Sequence, residues 1–263
     1  MAVDLSPPAA PYHYQRAAAF NREPEGMMLR YLFLLFGFCM SLMTCAEGHP
    51  ATRVNWSYGT GSNIDITKNT RTEFYRHGKL IYADREAGGG AGGLLSDRIV
   101  AKRYYWAGGG GLPTDGVSVP DKASIEMVSF LDRKRYRIKV DLPADLPQQM
   151  QQQYQVRGKI DQRNWLYFGL APGGYYEVTL MGDLQGASPD RLLVRGIAEE
   201  VTDNWYDKKY PIGVSQYTVT LKNFDREYGE LFKQHPVPRG MEWAPIMDAY
   251  RARQLKTDQH PVQ

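Results

Sequence analysis

The chain has 263 residues, enough for one domain or two small ones whose core needs no metal or disulfide support. Its 32 basic and 29 acidic side chains leave a net charge of +3, too small a balance to favour nucleic acid or an anionic membrane face as partner. Both cysteines, Cys39 and Cys45, lie near the N-terminus, which excludes disulfides, thiolate metal sites and cysteine nucleophiles from the chain beyond residue 46.

The first element in chain order is an export signal. Residues 32–43 are apolar apart from Ser41, and Arg30 stands just before them. This run is too short for a membrane-spanning helix, which needs about 20 residues. It does fit the apolar region of a secretory signal behind a basic end. Residues 1–26 carry Pro7, Pro8, Pro11 and mixed charges, which do not suit the front of such a signal. Met27 and Met28 would each start one of ordinary length. The expected organisation is therefore a mis-assigned upstream extension over 1–26, a signal peptide over 27–44, a tether over 45–55 and a single β-rich domain over 56–263.

The signal ends in Leu42-Met43-Thr44-Cys45, with an aliphatic residue three before the cysteine and a small one directly before it; Met43 is the unusual member. Cys45 in that setting takes a diacylglyceryl thioether and becomes the mature N-terminus, and its acyl chains together suffice for stable anchoring. Cleavage after Ala46 is the competing reading, because Thr44-Cys45-Ala46 also forms a small-x-small site. Ala46, where an aspartate would favour retention at the inner membrane, points to the outer membrane facing the periplasm. Cys39 follows bulky Phe38 and reads as apolar filler.

Beyond the tether the pattern is mostly strand. Residues 71–82 read as a hairpin turning at His77-Gly78, where positive φ is needed. Residues 98–106 are rich in β-branched and aromatic side chains and read as a strand. Residues 124–131 and 136–141 form a second hairpin through Asp132 to Arg135. Residues 166–170 and 175–181 form a third, turning at Pro172-Gly173-Gly174. Residues 192–199 and 216–221 add two strands. One central helix follows Asp145-Leu146-Pro147, where an early proline precedes a glutamine-rich run. Short helices are expected over 224–232 and 245–255. The fold class is mainly β (α+β), with antiparallel sheets built from hairpins.

No motif supplies a catalytic constellation. Gly88, Gly90 and Gly93 match a dinucleotide fingerprint only because the segment is nearly all glycine, and strand-like residues follow where a helix is required. His49, His77, His235 and His260 have no metal-ligand spacing, so no metal or cofactor is expected. Ser118 and Ser215 lack the second glycine of a nucleophile elbow. Glu199 and Glu200 are adjacent on a strand and point to opposite faces. Trp56, Trp106, Tyr175 and Trp205 are possible contact aromatics for a sugar or a protein, although packing within the sheets is the commoner role for such residues.

Gly169-Leu170-Ala171-Pro172-Gly173-Gly174, followed by YYEVTLMG, resembles the bacterial envelope lipoprotein family catalogued as domain of unknown function 2931. Gly111-Leu112-Pro113, the run Ile125 to Asp132 with Ser129, Lys134-Arg135-Tyr136 and Leu142-Pro143 resemble it as well, over roughly residues 105–200. The resemblance implies a lipoprotein-type signal, no assigned enzymatic activity, and a structural role for the turn at Gly169, Pro172, Gly173 and Gly174. Some members of the family stand beside type VI secretion toxins, which implies a protein partner in the periplasm and an immunity function.

The expectation is therefore a non-enzymatic, lipid-anchored envelope protein that touches the membrane only through its anchor, binds a protein (a toxin is the implied candidate) and ignores nucleic acid. The alternatives are a glycan- or peptidoglycan-binding module and an envelope hydrolase whose active site is assembled from distant residues. Initiation at Met27 or Met28 makes one direct prediction: changing the Met1 codon leaves expression and export intact. Loss of the protein on an immunoblot of that mutant would show that translation begins at Met1.

Overall fold

Residues 165–171 and 175–181 are buried at every position, as expected of strands covered on both faces. The computed structural model describes residues 54–84, 95–107, 109, 112–156, 158–182, 190–202, 217–254 and 262. All of them belong to Ala51–Gln263, the second of two units into which the chain divides. The two buried runs, β9 (Trp165–Ala171) and β10 (Tyr175–Met181), lie inside a five-stranded sheet. Its remaining members are β11 (Arg191–Ile197) beside β10, β1 (Ser57–Gly61) beside β9, and β4 (Leu112–Pro113) beyond β1.

The second five-stranded sheet runs β12 (Glu199–Glu200), β6 (Lys134–Asp141), β5 (Lys122–Ser129), β2 (Thr67–Arg76) and β3 (Lys79–Asp84). A separate hairpin pairs β7 (Gln153–Val156) with β8 (Lys159–Gln162). The described helices are α1 (Leu95–Val100), α2 (Leu146–Gln151), α3 (Thr218–Gln234) and α4 (Trp243–Ala252).

Alternation along β9 and β10 sorts their side chains into two cores. Leu166, Phe168 and Leu170 join Tyr176, Val178 and Leu180 against Ile125 and Met127 of β5 and Ile138 and Val140 of β6. The opposite face presents Trp165, Tyr167, Tyr175 and Met181. They pack with Leu95 and Ile99 of α1, Phe224 and Tyr228 of α3, and Trp243 and Met247 of α4. The result is three layers: sheet, sheet and helices. Each fully buried side chain of this size contributes about 1.5–3 kcal/mol through loss of apolar surface to water.

The mainly β, α+β class and the three hairpins match expectation. His77 (φ 50°) and Gly78 (φ 73°) turn the first hairpin through two left-handed residues. Among the described residues every ladder is antiparallel except β1 with β9, which run parallel.

Two expected strands are absent: the first opens as helix and continues as turn and irregular chain, and the second is helical from Thr218. Residues 98–106 begin inside α1, because Leu95 and Ile99, four apart, share one buried helix face. Residues 216–221 are expected as a strand, but from Thr218 the chain is α3. There Leu221, Phe224, Tyr228 and Leu231 recur at helical spacing and all pack on the helical-side core. The central helix is present but short, and Asp145 makes no side-chain cap. The glycine clusters at 88–93 and 108–111 lie outside the described residues, except Gly109.

Asp65, in the crossing from β1 to β2, ties the sheets to the β5–β6 turn. Its carboxylate accepts the Ser129 hydroxyl (2.5 Å) and the Leu131 N–H (3.0 Å). Burial pushes this carboxyl up to about 7, against hydrogen bonds from Ser129, Leu131 and Ile66, which pull it down. The folded value thus lies above the ordinary 3.8, so folding favours the protonated form. The associated stability is complete below pH about 4 and is lost as pH rises through about 7. Asp65→Asn keeps an acceptor for Leu131 and should flatten that slope. Urea unfolding at about pH 5 and about pH 8 checks it, since wild type alone should weaken between the two.

Candidate functional site: the turn motif and the buried ion clusters

The turn at residues 172–174 is built from glycine for two physical reasons. Gly173 (φ 78°) and Gly174 (φ 75°) are left-handed, and a Cβ on Gly173 would sit 2.3 Å from the Gly240 nitrogen. Around this close approach four parts of the chain are joined. The Gly173 N–H donates to Asp132 Oδ2 (2.6 Å), which also accepts the Tyr136 hydroxyl (2.9 Å). Arg239 Nη1 donates to Asp132 Oδ1 (2.6 Å). The Pro172 carbonyl accepts Trp243 Nε1–H (3.2 Å), and the Gly174 carbonyl accepts the Ala198 N–H (2.8 Å). The Asp132 carboxylate is almost fully buried, so its three charge-assisted bonds act in a low dielectric.

Gly169 has a different task. A Cβ there would fall 2.5 Å from the Trp106 indole, which lies flat over this position. Directly opposite Gly169 in the ladder stands Glu177. Trp106 therefore reaches across β9 and donates Nε1–H to Glu177 Oε2 (2.8 Å).

Glu177 anchors the first of two buried ion clusters. Besides Trp106 it accepts the Tyr175 hydroxyl (2.6 Å) and both terminal nitrogens of Arg251 (2.5 and 2.8 Å). Burial alone would lower the pKa of Arg251, but its bonds to Glu177 and Asp248 raise it. Asp248 binds both Arg195 (2.7 and 2.9 Å) and Arg251 (2.7 Å). The hydrogen bond from Arg195 pulls its carboxyl down to about 2, with Arg251 assisting against partial burial.

The second cluster lies on the outer face of the second sheet. Glu126, with no exposed surface, accepts Nε (2.8 Å) and Nη2 (2.7 Å) of Arg137. Arg135 stands 3.8 Å away and Arg71 4.0 Å, and Arg71 also grips Glu73. Glu199 and Glu200 point to opposite faces as expected, towards Lys139 (3.6 Å) and Lys134 (2.7 Å).

The contact-aromatic expectation needs correction. Trp56, Trp106 and Tyr175 are 3%, 6% and 0% exposed, so none presents a ring to a ligand. Trp56 packs edge-on against Phe74 and donates Nε1–H to the Val117 carbonyl (3.0 Å). A strand buried on both faces leaves no exposed member even in a doubled aromatic such as Tyr175-Tyr176. Trp205 and Cys45 lie outside the described residues, as do His49, Ser215 and His260. His77 is exposed at its turn. Among the described residues no group of three or more His, Cys, Asp or Glu could hold a metal. No described helix is long and apolar enough to cross a membrane.

Sequence reasoning missed Asp132, Glu126, Glu177 and Arg251. A usable signal was present for two of them: Glu126 in SIEMVS and Glu177 in YYEVTLM each interrupt an otherwise uncharged run. A carboxylate in such a setting must be buried with cationic or N–H partners.

Residues 38–240 match the family model described as Protein of unknown function (DUF2931). The chain belongs to that family. Neither the curated proteins nor the solved structures returned a match. The matched span takes in the turn, Asp132, Glu126 and Glu177 and ends at Gly240, so Trp243, Asp248 and Arg251 lie beyond it. Within it, the residues that carry the resemblance come together in space: Ser129 holds Asp65, while Asp132 and Tyr136 bind the turn.

Removing one partner of a buried ion pair leaves the other charge unmatched. Glu177→Gln should therefore lower the unfolding free energy by about 3 kcal/mol, and Arg251→Met in the same chain should recover part of it. Urea titration of both variants measures this; equal stability of wild type and Glu177→Gln would show that the cluster holds nothing together.

Proposed function

We propose that this member of the family is exported, lipid-anchored through Cys45 in the outer membrane, and faces the periplasm, where it binds a protein without catalysing a reaction. Its partner is a toxin delivered by a type VI secretion system, and the contact neutralises that toxin. The observation that carries the reading is the N-terminal sequence: Arg30, the apolar run 32–43, and Leu42-Met43-Thr44 ahead of Cys45. The buried charges support it indirectly. Glu177 takes four hydrogen bonds and Asp132 three, so both carboxylates are engaged in joining elements of the fold. That leaves the surface as the working part of the molecule. The glycan-binding and hydrolase readings have no specific observation in their favour once Trp56, Trp106 and Tyr175 are buried.

Two measurements test the proposal. Cys45→Ser should move the protein from the detergent-extracted membrane fraction to the soluble fraction. Deletion of the gene should sensitise cells to a competitor carrying an active secretion system, with rescue by the wild-type chain. Membrane association that survives Cys45→Ser would remove the lipid anchor, and unchanged survival of the deletion strain would remove the immunity role.

A further inference from the structure

Two buried carboxyls are joined through one hydroxyl at the β5–β6 turn. Ser129 Oγ donates to Asp65 Oδ2 (2.5 Å) and accepts the Asp132 N–H (3.0 Å). Asp65 is 0% exposed and the Asp132 side chain 2%. Arg239 Nη1 matches the Asp132 charge (2.6 Å). The described partners of the Asp65 carboxyl are neutral: the Ser129 hydroxyl and the N–H groups of Leu131 and Ile66. Neighbouring charges of the turn are engaged elsewhere, Arg133 with Asp225 of α3 (2.6 Å) and Lys134 with Glu200 of β12 (2.7 Å). Both C-terminal helices meet this region with apolar groups, Phe224 of α3 beside Phe130 and the Met247 sulfur of α4 beside Asn63. Asp132 is the charge that acts on Asp65, and it opposes ionisation.

One cation for two buried acids leaves the second negative charge unmatched. The turn itself is where the structure can relieve it. Leu131 to Arg133 are half-buried or exposed, so lifting them uncovers little apolar surface. Arg133 holds a φ of 54°, a left-handed backbone that its side chain disfavours, and opening releases that strain as well. The bonds that opening breaks are equally defined. They are the Leu131 N–H to Asp65 and the hold of Asp132 on the Gly173 N–H (2.6 Å) and on Arg239. The closed turn is therefore what ties the Pro172–Gly174 reversal to the segment leading into α4.

We infer that Asp65 is a pH-sensitive latch on this joint. Protonated, it holds the β5–β6 turn closed on Gly173 and Arg239; ionised, it lets the turn open locally while the two sheets stay folded. The latch belongs to the fold and does not rest on the partner-binding reading. Its sign follows from the carboxyl. In the open turn Asp65 meets water and returns towards the ordinary 3.8, below the closed value of about 7. Opening therefore releases a proton between those two values. It becomes up to about tenfold more favourable per pH unit across that range and levels off above it.

Native-state hydrogen exchange of the protein by NMR tests this from about pH 5 to about pH 8, with each rate divided by the intrinsic rate at that pH. Protection of the Gly173 amide and of the Trp243 indole N–H, which donates to Pro172, should fall by up to about tenfold per unit and level off above about pH 7. At every pH it should stay below the protection of amides inside β9 and β10. Asp65→Asn, which is near-isosteric and still accepts from Leu131, should flatten the slope at both positions. Protection at Gly173 that is independent of pH would mean that opening leaves Asp65 covered, and would overturn the latch. So would protection equal to that of the β9–β10 core, because exchange would then require global unfolding. If Asp65→Asn does not fold, the carbon-13 resonance of the Asp65 carboxyl in wild type decides: titration centred near 7 supports the latch, and an ordinary titration near 3.8 overturns it.

Discussion

Covering β9 and β10 on both faces is the constraint from which most of this structure follows. A strand buried on one side can present polar residues to water on the other, whereas these two cannot. Every side chain on them must either pack or be matched inside the protein. Leu166, Phe168, Leu170, Val178 and Leu180 meet the requirement on the sandwich side by packing alone. On the helical side the same requirement falls on Glu177, an ionisable residue with no exposed surface. Its four hydrogen bonds, two of them from Arg251, couple the last described helix to the centre of the sheet.

The same logic explains the turn between the two strands. A tight reversal there brings β9 back along β10, and two left-handed glycines allow it. Its backbone groups outside the ladder need partners, because the segment is covered by the chain around Gly240. Asp132 and Trp243 supply them from the β5–β6 turn and from α4. The family motif is therefore a joint between the two sheets and the C-terminal part of the chain. Its conformational demands, rather than any reactive group, account for its glycines and proline.

Local patterns in the sequence were enough to place most elements. The three hairpins were legible because each combines alternating apolar residues with a turn that needs glycine or proline, at His77-Gly78, at Asp132 to Arg135 and at Pro172 to Gly174. The failures share a cause. Residues 98–106 and 216–221 hold β-branched and aromatic side chains that favour strands locally. Ile99 itself and the neighbouring Leu95, Phe224 and Tyr228 find a larger apolar surface when wound as helices against β9 and β10. The parallel pairing of β1 with β9 was also invisible, because the two strands are far apart in the chain and no turn signal links them. For the aromatics, strand alternation told which residues share a face, but not that both faces are covered.

The sequence by itself determined the family, the β-rich class, the hairpin turns and the absence of cysteine from the body of the chain. Each depends on residue type and short-range spacing. The tertiary structure alone decided which polar residues are buried and what they meet. Asp65 with Ser129, Asp132 with Gly173, and Glu177 with Arg251 are separated by 64, 41 and 74 positions. A charged residue's role depends on its dielectric surroundings and nearest partners, and distances along the chain do not carry that information.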